Sequence, residues 1–317
     1  MWLQLRLYLL VTLLFALVYA AVTVIASVME IGDFMMYGII ASAMLILQWL
    51  LGPKLVEMSM GVRYVSRAEY PEIYRAVEEL SVAAGIPVPR IGISQIPIPN
   101  AFAFGRWRGD GRICITNELT RMLSFQELRA VIGHEIAHLK HSDVAVITFL
   151  SVFPTVFWFI ARSTMFYSYS GRRRGNEALI GIVAFLLYFI TNLLVLYASR
   201  IREYYADERS VRLGNPPHAL ASALYKLVYG SARVSKENMK PFEGLKAFFL
   251  NDPSRALNEI RELAQVDTDR SGSIDQHELL MLSTKKVKIG LGDMLMELMS
   301  THPNMVKRVQ RLSKIAM

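Results

Sequence analysis

Four long apolar runs constrain this chain more than any other feature of its sequence. They cover residues 7–29, 34–51, 144–161 and 178–198, and each is long enough to be a candidate for crossing a bilayer core of about 30 Å as a helix. They explain a hydrophobic content of 53% and a mean hydropathy of +0.31, which exceed what a soluble chain of 317 residues requires. The sequence therefore predicts a mainly α integral-membrane protein with four transmembrane or membrane-associated helices.

The charges that flank the first two runs predict their orientation. Arg6 precedes the first run, the segment between the runs holds Glu30 and Asp33 but neither Lys nor Arg, and basic residues from Lys54 onward follow the second run. The positive-inside rule then places the N-terminus and the chain after Leu51 on the cytoplasmic face of the cell membrane. A cleaved signal peptide ending near residues 18–20 is the alternative for the first run. Because the apolar run continues beyond that point, an uncleaved anchor is favoured.

The second pair of runs forms a candidate hairpin within residues 144–198. An even number of crossings, or none, leaves its two flanks on the same side of the membrane. The connection between the runs is rich in arginine, which opposes the positive-inside rule if the hairpin spans. Either it spans in spite of these charges, which is favoured, or it packs as an interfacial or re-entrant unit. Residues 1–54 then form the first membrane segment, and residues 55–143 and 199–317 form two parts of one soluble domain.

The motif with the clearest chemistry is His134-Glu135-Ile136-Ala137-His138, in an apolar helical frame. Residues four apart share one face of a helix, so His134 and His138 can direct two imidazoles at one zinc ion. Glu135 is placed to take a proton from a metal-bound water, whose pKa a catalytic zinc lowers to about 7. A capping box of Ser124 and Glu127 predicts the start of this helix. Taken alone, such a short motif also arises by chance.

A later segment supplies a candidate third ligand. Glu203 offers a carboxylate, and Asp207 lies one turn later on the same helical face. Asp207 can accept the N–H of a ligating histidine and fix its tautomer. Without the histidine motif, a surface helix of mixed charge is the simpler interpretation. Together the two segments predict one zinc ion per chain, bound by His134, His138 and Glu203.

Residues 55–143 have the composition of a soluble domain. Helical apolar spacing predicts a helix over residues 71–84. Short alternating runs at residues 90–94, 101–104 and 112–116, separated by Pro-rich or Gly-rich turns, predict a small antiparallel sheet.

The middle run of that sheet is a candidate substrate-binding strand. Asn100, Ala101, Phe102 and Ala103 can form an edge strand along which an extended peptide adds as a further strand. Ordinary strand packing is the alternative.

Charge and cysteine content exclude some classes of protein. The net charge is +8, but the basic residues cluster beside apolar runs and do not form an aromatic-interleaved basic face, so anionic lipid is a better partner than nucleic acid. Cys114 is the only cysteine, which excludes an intramolecular disulfide and indicates a reducing compartment for the soluble part.

Residues 267–278 match a 12-residue EF-hand calcium loop. Gly272 occupies position 6, and residues 254–266 and 276–282 have the spacing of flanking helices, within an EF-hand-like segment of residues 254–284. The candidate calcium ligands are Asp267, Asp269, Ser271, Ser273, Asp275 and Glu278. An acidic surface turn that binds nothing is the alternative. EF-hands usually occur in pairs, and the chain has no second loop of this pattern.

In combination these features resemble the HtpX heat-shock membrane metalloproteases, which are relatives of the CAAX prenyl endopeptidases. The apolar anchors, residues 100–103, the histidine motif and the Glu203 segment follow the family order. Ser300-Thr301-His302-Pro303 followed by Arg308 resembles the family's late Thr-His-Pro element, so the resemblance covers most of the chain. The calcium loop departs from the family pattern.

The resemblance implies an α+β zincin-like (gluzincin) zinc endopeptidase that degrades misfolded or damaged membrane proteins. It implies zinc ligation by His134, His138 and Glu203, catalysis by Glu135 and a supporting role for Asp207. It also places His302 and Arg308 near substrate, where a structural role for His302 is an open alternative. Two other functions remain: a prenyl-protein processing endopeptidase, and an inactive calcium-responsive membrane scaffold. The sequence does not indicate the oligomeric state.

Overall fold

The computed structural model describes residues 34–169, 177–234, 256–284 and 290–316. The predicted span at residues 7–29 lies outside these ranges. The chain divides into two compact units. Met1–Leu51 and Ala145–Ile201 form the first unit, and Gly52–Val144 and Arg202–Met317 form the second.

Twelve α-helices and four strands are numbered here within the described residues. The helices are α1 (Phe34–Ser59), α2 (Pro71–Ala84), α3 (Asn117–Met122), α4 (Phe125–His141), α5 (Asp143–Leu150), α6 (Val152–Tyr169), α7 (Glu177–Arg212), α8 (Pro217–Ala232), α9 (Ala256–Leu263), α10 (Gln276–Thr284), α11 (Leu291–Leu298) and α12 (Met305–Ile315). The strands are β1 (Val62–Tyr64), β2 (Arg90–Ser94), β3 (Ala101–Phe104) and β4 (Arg112–Thr116).

The sheet is mixed, so the prediction of an antiparallel sheet was wrong. Its strand order is β1-β2-β4-β3, with β2 parallel to β4 and the other two pairs antiparallel. After β2 the chain forms β3 at the edge of the sheet. It then returns as β4, which lies between β2 and β3, parallel to β2 and antiparallel to β3. Alternation of apolar residues gives the faces of a strand but not the direction of its neighbours, which explains the error. Strand β1, three residues long, was not predicted.

Most helices of the second unit pack on this sheet around a large apolar cluster, and a smaller cluster includes Val56 and Phe102. Helix α4 contacts α2, α8 and β3, and α12 contacts α8, α9 and α10. Helix α2 has the predicted bounds and ends at Gly85, whose φ of 68° is left-handed and suits glycine. The predicted capping box starts α4: the Ser124 side chain accepts from the Glu127 amide, and the Glu127 carboxylate accepts from the Ser124 amide.

Helix α1 continues past the point where a stop was predicted. Gly52 and Pro53 lie inside it, and the helix runs on to Ser59. Its last turns are anchored because Val56 is buried in a cluster with Phe102 and Phe104. Burial therefore outweighs the single backbone hydrogen bond that a helical proline removes.

The described part of the hairpin region is helical, and its first predicted span is interrupted. Residues 144–161, predicted as one span, are divided between α5 and α6 at Ser151. Pro154 cannot donate the backbone hydrogen bond that would satisfy the carbonyl of Leu150, which accounts for the division. Helices α6 and α7 pack through two apolar clusters that include Phe153 with Ala198 and Phe157 with Ala184.

Within the described residues, one helix is long and apolar enough to cross a membrane, over Leu179–Arg212. Its outer face carries exposed apolar side chains, among them Leu179, Ile182, Leu186 and Phe189. The prediction of four spans stays a prediction.

Candidate metal centre

Helix α4 brings the two motif histidines to one point. The Nε2 atoms of His134 and His138 are 3.0 Å apart, and the rings meet nearly edge to face. The His134 side chain is 1% exposed and that of His138 is 16% exposed. Two ring nitrogens at this separation, one turn apart on a buried helix, can share a single cation.

Helix α7 supplies the third donor. The Glu203 carboxylate lies 3.6 Å from His134 Nε2 and 3.5 Å from His138 Nε2. A tetrahedral zinc ion with N and O ligands at about 2.0–2.2 Å separates those ligands by roughly 3.3–3.6 Å. The two distances to the Glu203 oxygens match that separation, and the 3.0 Å between the two imidazole nitrogens is slightly shorter. The two imidazoles and the carboxylate, donors of the types zinc prefers, can therefore close around one such ion.

Asp207, one turn after Glu203, touches the outer nitrogen of the first histidine. Its Oδ1 lies 2.9 Å from His134 Nδ1. The same carboxylate accepts two hydrogen bonds from Arg308, at 2.7 and 2.9 Å, and Arg308 Nη1 lies 3.1 Å from Glu203 Oε2. Arg308 is fully buried. Helix α12 thus places the Arg308 guanidinium against the Glu203 and Asp207 carboxylates of α7, beside the two histidines.

Two site residues were missed by the sequence reasoning. Asp143 Oδ2 lies 2.6 Å from His138 Nδ1, and Arg202 forms an ion pair with Asp143. Both charged side chains are largely buried. The available signal was an acid five residues after the second histidine and a cation directly before Glu203, neither of which belongs to the five-residue motif.

Glu135 is placed between the histidines and the sheet. It is 2% exposed, and its carboxylate is hydrogen-bonded to the backbone amide of Ala103 in β3. Burial raises the pKa of Glu135, and the two histidines oppose that rise. A raised pKa suits a carboxylate that must accept a proton and later release it.

The two histidines differ in their electrostatic surroundings. Burial, reinforced by the neighbouring His134, lowers the pKa of His138 to about 4. Burial also lowers the pKa of His134, but hydrogen bonds with Asp207 and Glu203 outweigh it and raise that pKa to about 9. Metal binding requires neutral imidazoles, so a bound cation would oppose protonation of both rings.

The candidate edge strand occupies the edge of the sheet. Among the strands that the structure describes, β3 pairs with β4 alone, with Ala101 opposite Ile115 and Phe102 opposite Cys114. Phe102 packs into the cluster with Val56, whereas Ala101 belongs to the core on the opposite face. Asn100, fully buried, joins the sheet through its backbone, which is hydrogen-bonded to Thr116.

The late element reaches the same site. His302 is 7% exposed, and its Nδ1 lies 3.4 Å from Glu203 Oε2. The structure thus brings together the histidine motif, Glu203, Asp207, His302 and Arg308.

The six candidate calcium ligands in residues 267–278 fall into three groups by the contacts that they make. Carboxylate oxygens of Asp267, Asp269 and Glu278 lie within 4.8 Å of one another. Ser271 and Ser273 face each other with their hydroxyls 3.1 Å apart. Asp275 caps α10 by accepting the Glu278 amide at 2.7 Å.

Comparison with known proteins identifies the family of this chain. The family model described as Peptidase family M48 matches residues 67–316. The protease HtpX homolog of Methanothermobacter thermautotrophicus is 49% identical over 71% of this chain and 86% of its own length. The protease HtpX homolog of Thermoplasma volcanium is 33% identical over 94% of this chain and 89% of its own length. The crystal structure of S. mikatae Ste24p covers 97% of this chain and 67% of its own, with a TM-score of 0.48 and 15% identity. The chain therefore belongs to peptidase family M48, among its HtpX-type proteases.

Proposed function

We propose that this protease is an integral-membrane, zinc-dependent endopeptidase. The observation that carries the proposal is the meeting of His134, His138 and Glu203 within 3.0–3.6 Å, with the buried Glu135 carboxylate beside them. Bound zinc supplies a Lewis acid that polarises a carbonyl and lowers the pKa of water. An inactive scaffold would lack a metal ligand or the catalytic base, whereas this chain has the three candidate ligands and Glu135.

The residues around the metal then perform the proton transfers. Glu135 accepts a proton from the attacking water at its carboxylate and delivers it to the nitrogen of the departing peptide. The Ala103 amide, hydrogen-bonded to that carboxylate, fixes its position. Arg308 and Asp207 keep His134 and Glu203 oriented through the contacts described above.

Strand β3 is the proposed substrate guide. It is an edge strand and it contacts the catalytic base directly through Ala103, so a peptide extended along it passes beside Glu135. Backbone pairing of this kind recognises any extended chain, which favours unfolded segments over folded ones.

Two variants test the catalytic assignment. Glu135→Gln should bind zinc normally but lose about 100-fold or more of its peptidase activity, because an amide cannot accept the proton. Glu203→Ala should instead lose bound zinc, measured by elemental analysis, because too few ligands remain. Glu118→Gln, an exposed change outside the site, is the control. Normal activity in Glu135→Gln would remove it from the mechanism.

The proposed substrates are misfolded or damaged membrane proteins of the cell membrane, with the catalytic unit facing the cytoplasm. The apolar outer face of α7 supports contact with lipid, and the resemblance to HtpX proteases supports a quality-control role. The purified protease in liposomes should cleave an unfolded membrane reporter faster than its folded form. Selective cleavage of a prenylated peptide over its unprenylated form would favour the processing endopeptidase.

Calcium is the proposed modulator, bound in the loop of residues 267–278. Arg270 and Gly272 have left-handed φ angles of 58° and 79°, so the backbone turns sharply at the position where EF-hand loops require glycine. Glu278 supports the assignment because its carboxylate points into the loop, where it accepts hydrogen bonds from the amides of Thr268 and Asp269.

Contacts from the helix that precedes this loop supply a route for modulation. Glu262 of α9 accepts a hydrogen bond from the Asn304 side chain at 2.7 Å, and Glu259 accepts a hydrogen bond from the backbone amide of Met305. Asn304 caps α12 by accepting the Val306 amide, and α12 carries Arg308 into the zinc site. Calcium can change activity only to the extent that it binds two arrangements of these helices with different affinity.

A calcium titration tests this part of the proposal. Calcium should raise wild-type peptidase activity, and Glu278→Gln should abolish the response without changing zinc content, because it removes a bidentate carboxylate. Equal activity titrations for the two proteins would reject regulation. Equal calcium binding by calorimetry would reject the site.

A further inference from the structure

We propose that Asp143 is the positioning residue of His138 and that Arg202 holds Asp143 in place. The inference rests on the proposed zinc-dependent function. His138 Nδ1 lies 2.6 Å from Asp143 Oδ2, whereas its Nε2 lies 3.5 Å from Glu203 Oε1. An Nδ1–H that donates to Asp143 leaves the Nε2 lone pair directed at the other two ligands.

A break in the backbone brings Asp143 to the ring. Helix α4 ends at His141, its C-cap residue Ser142 has a left-handed φ of 54°, and α5 starts at Asp143. In an uninterrupted helix, the fifth residue after His138 would be rotated away by about 140°, because each residue turns by 100°. The left-handed residue between the helices redirects the chain so that this carboxylate faces the imidazole. Its position in the first turn of α5 also suits a negative charge.

Arg202 anchors the carboxylate from the other side. It pairs with Asp143, donates a hydrogen bond to the backbone carbonyl of His141 at 3.2 Å, and has a side chain that is 8% exposed. Arg202 directly precedes Glu203 in α7. Two neighbouring residues of that helix therefore serve the same site, one as a ligand and one as the support of a ligand.

The arrangement repeats what surrounds the first histidine. His134 has Asp207 at its outer nitrogen and Arg308 on that carboxylate; His138 has Asp143 and Arg202. Each zinc-binding imidazole thus has its own carboxylate, and each carboxylate has its own arginine.

The test compares zinc affinity in variants of the full-length detergent-solubilised protease. Asp143→Ala should bind zinc about 10–100-fold more weakly in a chelator competition, the usual cost of losing such a partner. Asp143→Asn should recover most of that loss, because its amide oxygen can still accept the imidazole N–H. Asp110→Ala is the matched control: it removes an acid that pairs with Arg106 and Arg112, outside the site, and should leave zinc affinity unchanged.

A folded Asp143→Ala protein with affinity within about threefold of wild type would overturn the inference. Nitrogen-15 NMR of the wild-type zinc protein gives a second readout that needs no variant: His138 should carry its proton on Nδ1 and bind metal through Nε2. Metal on Nδ1 would also overturn the inference. Failure of the wild-type protein to bind zinc would overturn the proposed function as well, so the two failures are distinguishable.

Discussion

The guanidinium of Arg308 donates two hydrogen bonds to the carboxylate of Asp207, at 2.7 and 2.9 Å, across a sequence separation of 101 residues. The pair joins the last described helix to the helix that carries Glu203. Planar two-point recognition of this kind needs arginine, since lysine offers only a compact point charge.

The first prediction follows from the burial of this pair. Arg308→Met should destabilise the protein by about 3–5 kcal/mol, because it leaves buried carboxylates without their cation. Thermal unfolding of the solubilised protein measures the loss. Arg311→Met is the control, since Arg311 lies on the same helix, is 34% exposed and sits 3.8 Å from Glu208. We expect a change within about 1 kcal/mol for that surface pair. Equal shifts for the two variants would contradict a special role for Arg308.

Local sequence patterns predicted the helix that carries His134 and His138. The capping box at Ser124 and the four-residue spacing of His134 and His138 depend only on neighbours in the same helix. The same is true of Glu203 and Asp207, which lie one turn apart on α7.

Contacts distant in sequence were harder to predict. The role of Asp143 depends on a left-handed Ser142, and its partner Arg202 comes from another helix. The parallel pairing of β2 with β4 likewise depends on how the chain crosses between strands. Periodicity along one segment carries no information about the contact between Asp143 and Arg202 or about the pairing of β2 with β4.

The second prediction concerns pH and the start of α4. Burial raises the pKa of Glu127, but hydrogen bonds from Lys226, Ser222 and the Ser124 amide outweigh it, so the pKa is lowered. The stabilisation of the folded state by ionised Glu127 is therefore present above the unfolded pKa of about 4.3. It is lost as pH falls through the lower pKa of Glu127 in the folded protein.

Glu127→Gln should cost about 1.5–3 kcal/mol at pH 7, as expected for hydrogen bonds to a charged group. The difference in thermal stability from wild type should shrink below about pH 4. Glu118→Gln, whose exposed partner is Arg121, should show little difference at any pH. A pH-independent difference for Glu127→Gln would contradict the assignment.

The third prediction concerns the single thiol. Burial raises the pKa of Cys114 to about 12, and its side chain in β4 is fully buried. At pH 8, roughly one part in 10⁴ is thiolate, so thiol reagents should not react with the folded protein. Reaction should appear after denaturation, and rapid labelling of the native protein would contradict the burial.

The fourth prediction tests the topology of the hairpin that contains α6 and α7. If it spans, Ser168→Cys should label with an impermeant reagent from outside intact cells. Because Cys114 is buried, it should add little background, and a Cys114→Ser background removes it entirely. Labelling only after lysis would show that residue 168 stays inside. The arginines near it would then obey the positive-inside rule, and the spanning interpretation would be wrong.

The last prediction separates calcium binding from its transmission. Glu262 lies outside the calcium loop, but it accepts hydrogen bonds from the Asn304 side chain and from the amide of Gly290. Glu262→Ala should therefore leave calcium affinity unchanged by calorimetry while it reduces the activation of peptidase activity by calcium. Leaving the buried Asn304 amide without this acceptor should also cost about 1–3 kcal/mol of stability. His277→Ala, an exposed position of the loop whose side chain is not one of the candidate ligands, is the control and should change neither property. A full calcium response in Glu262→Ala would exclude this contact as the route, because the response would then not need the hydrogen bond between Glu262 and Asn304.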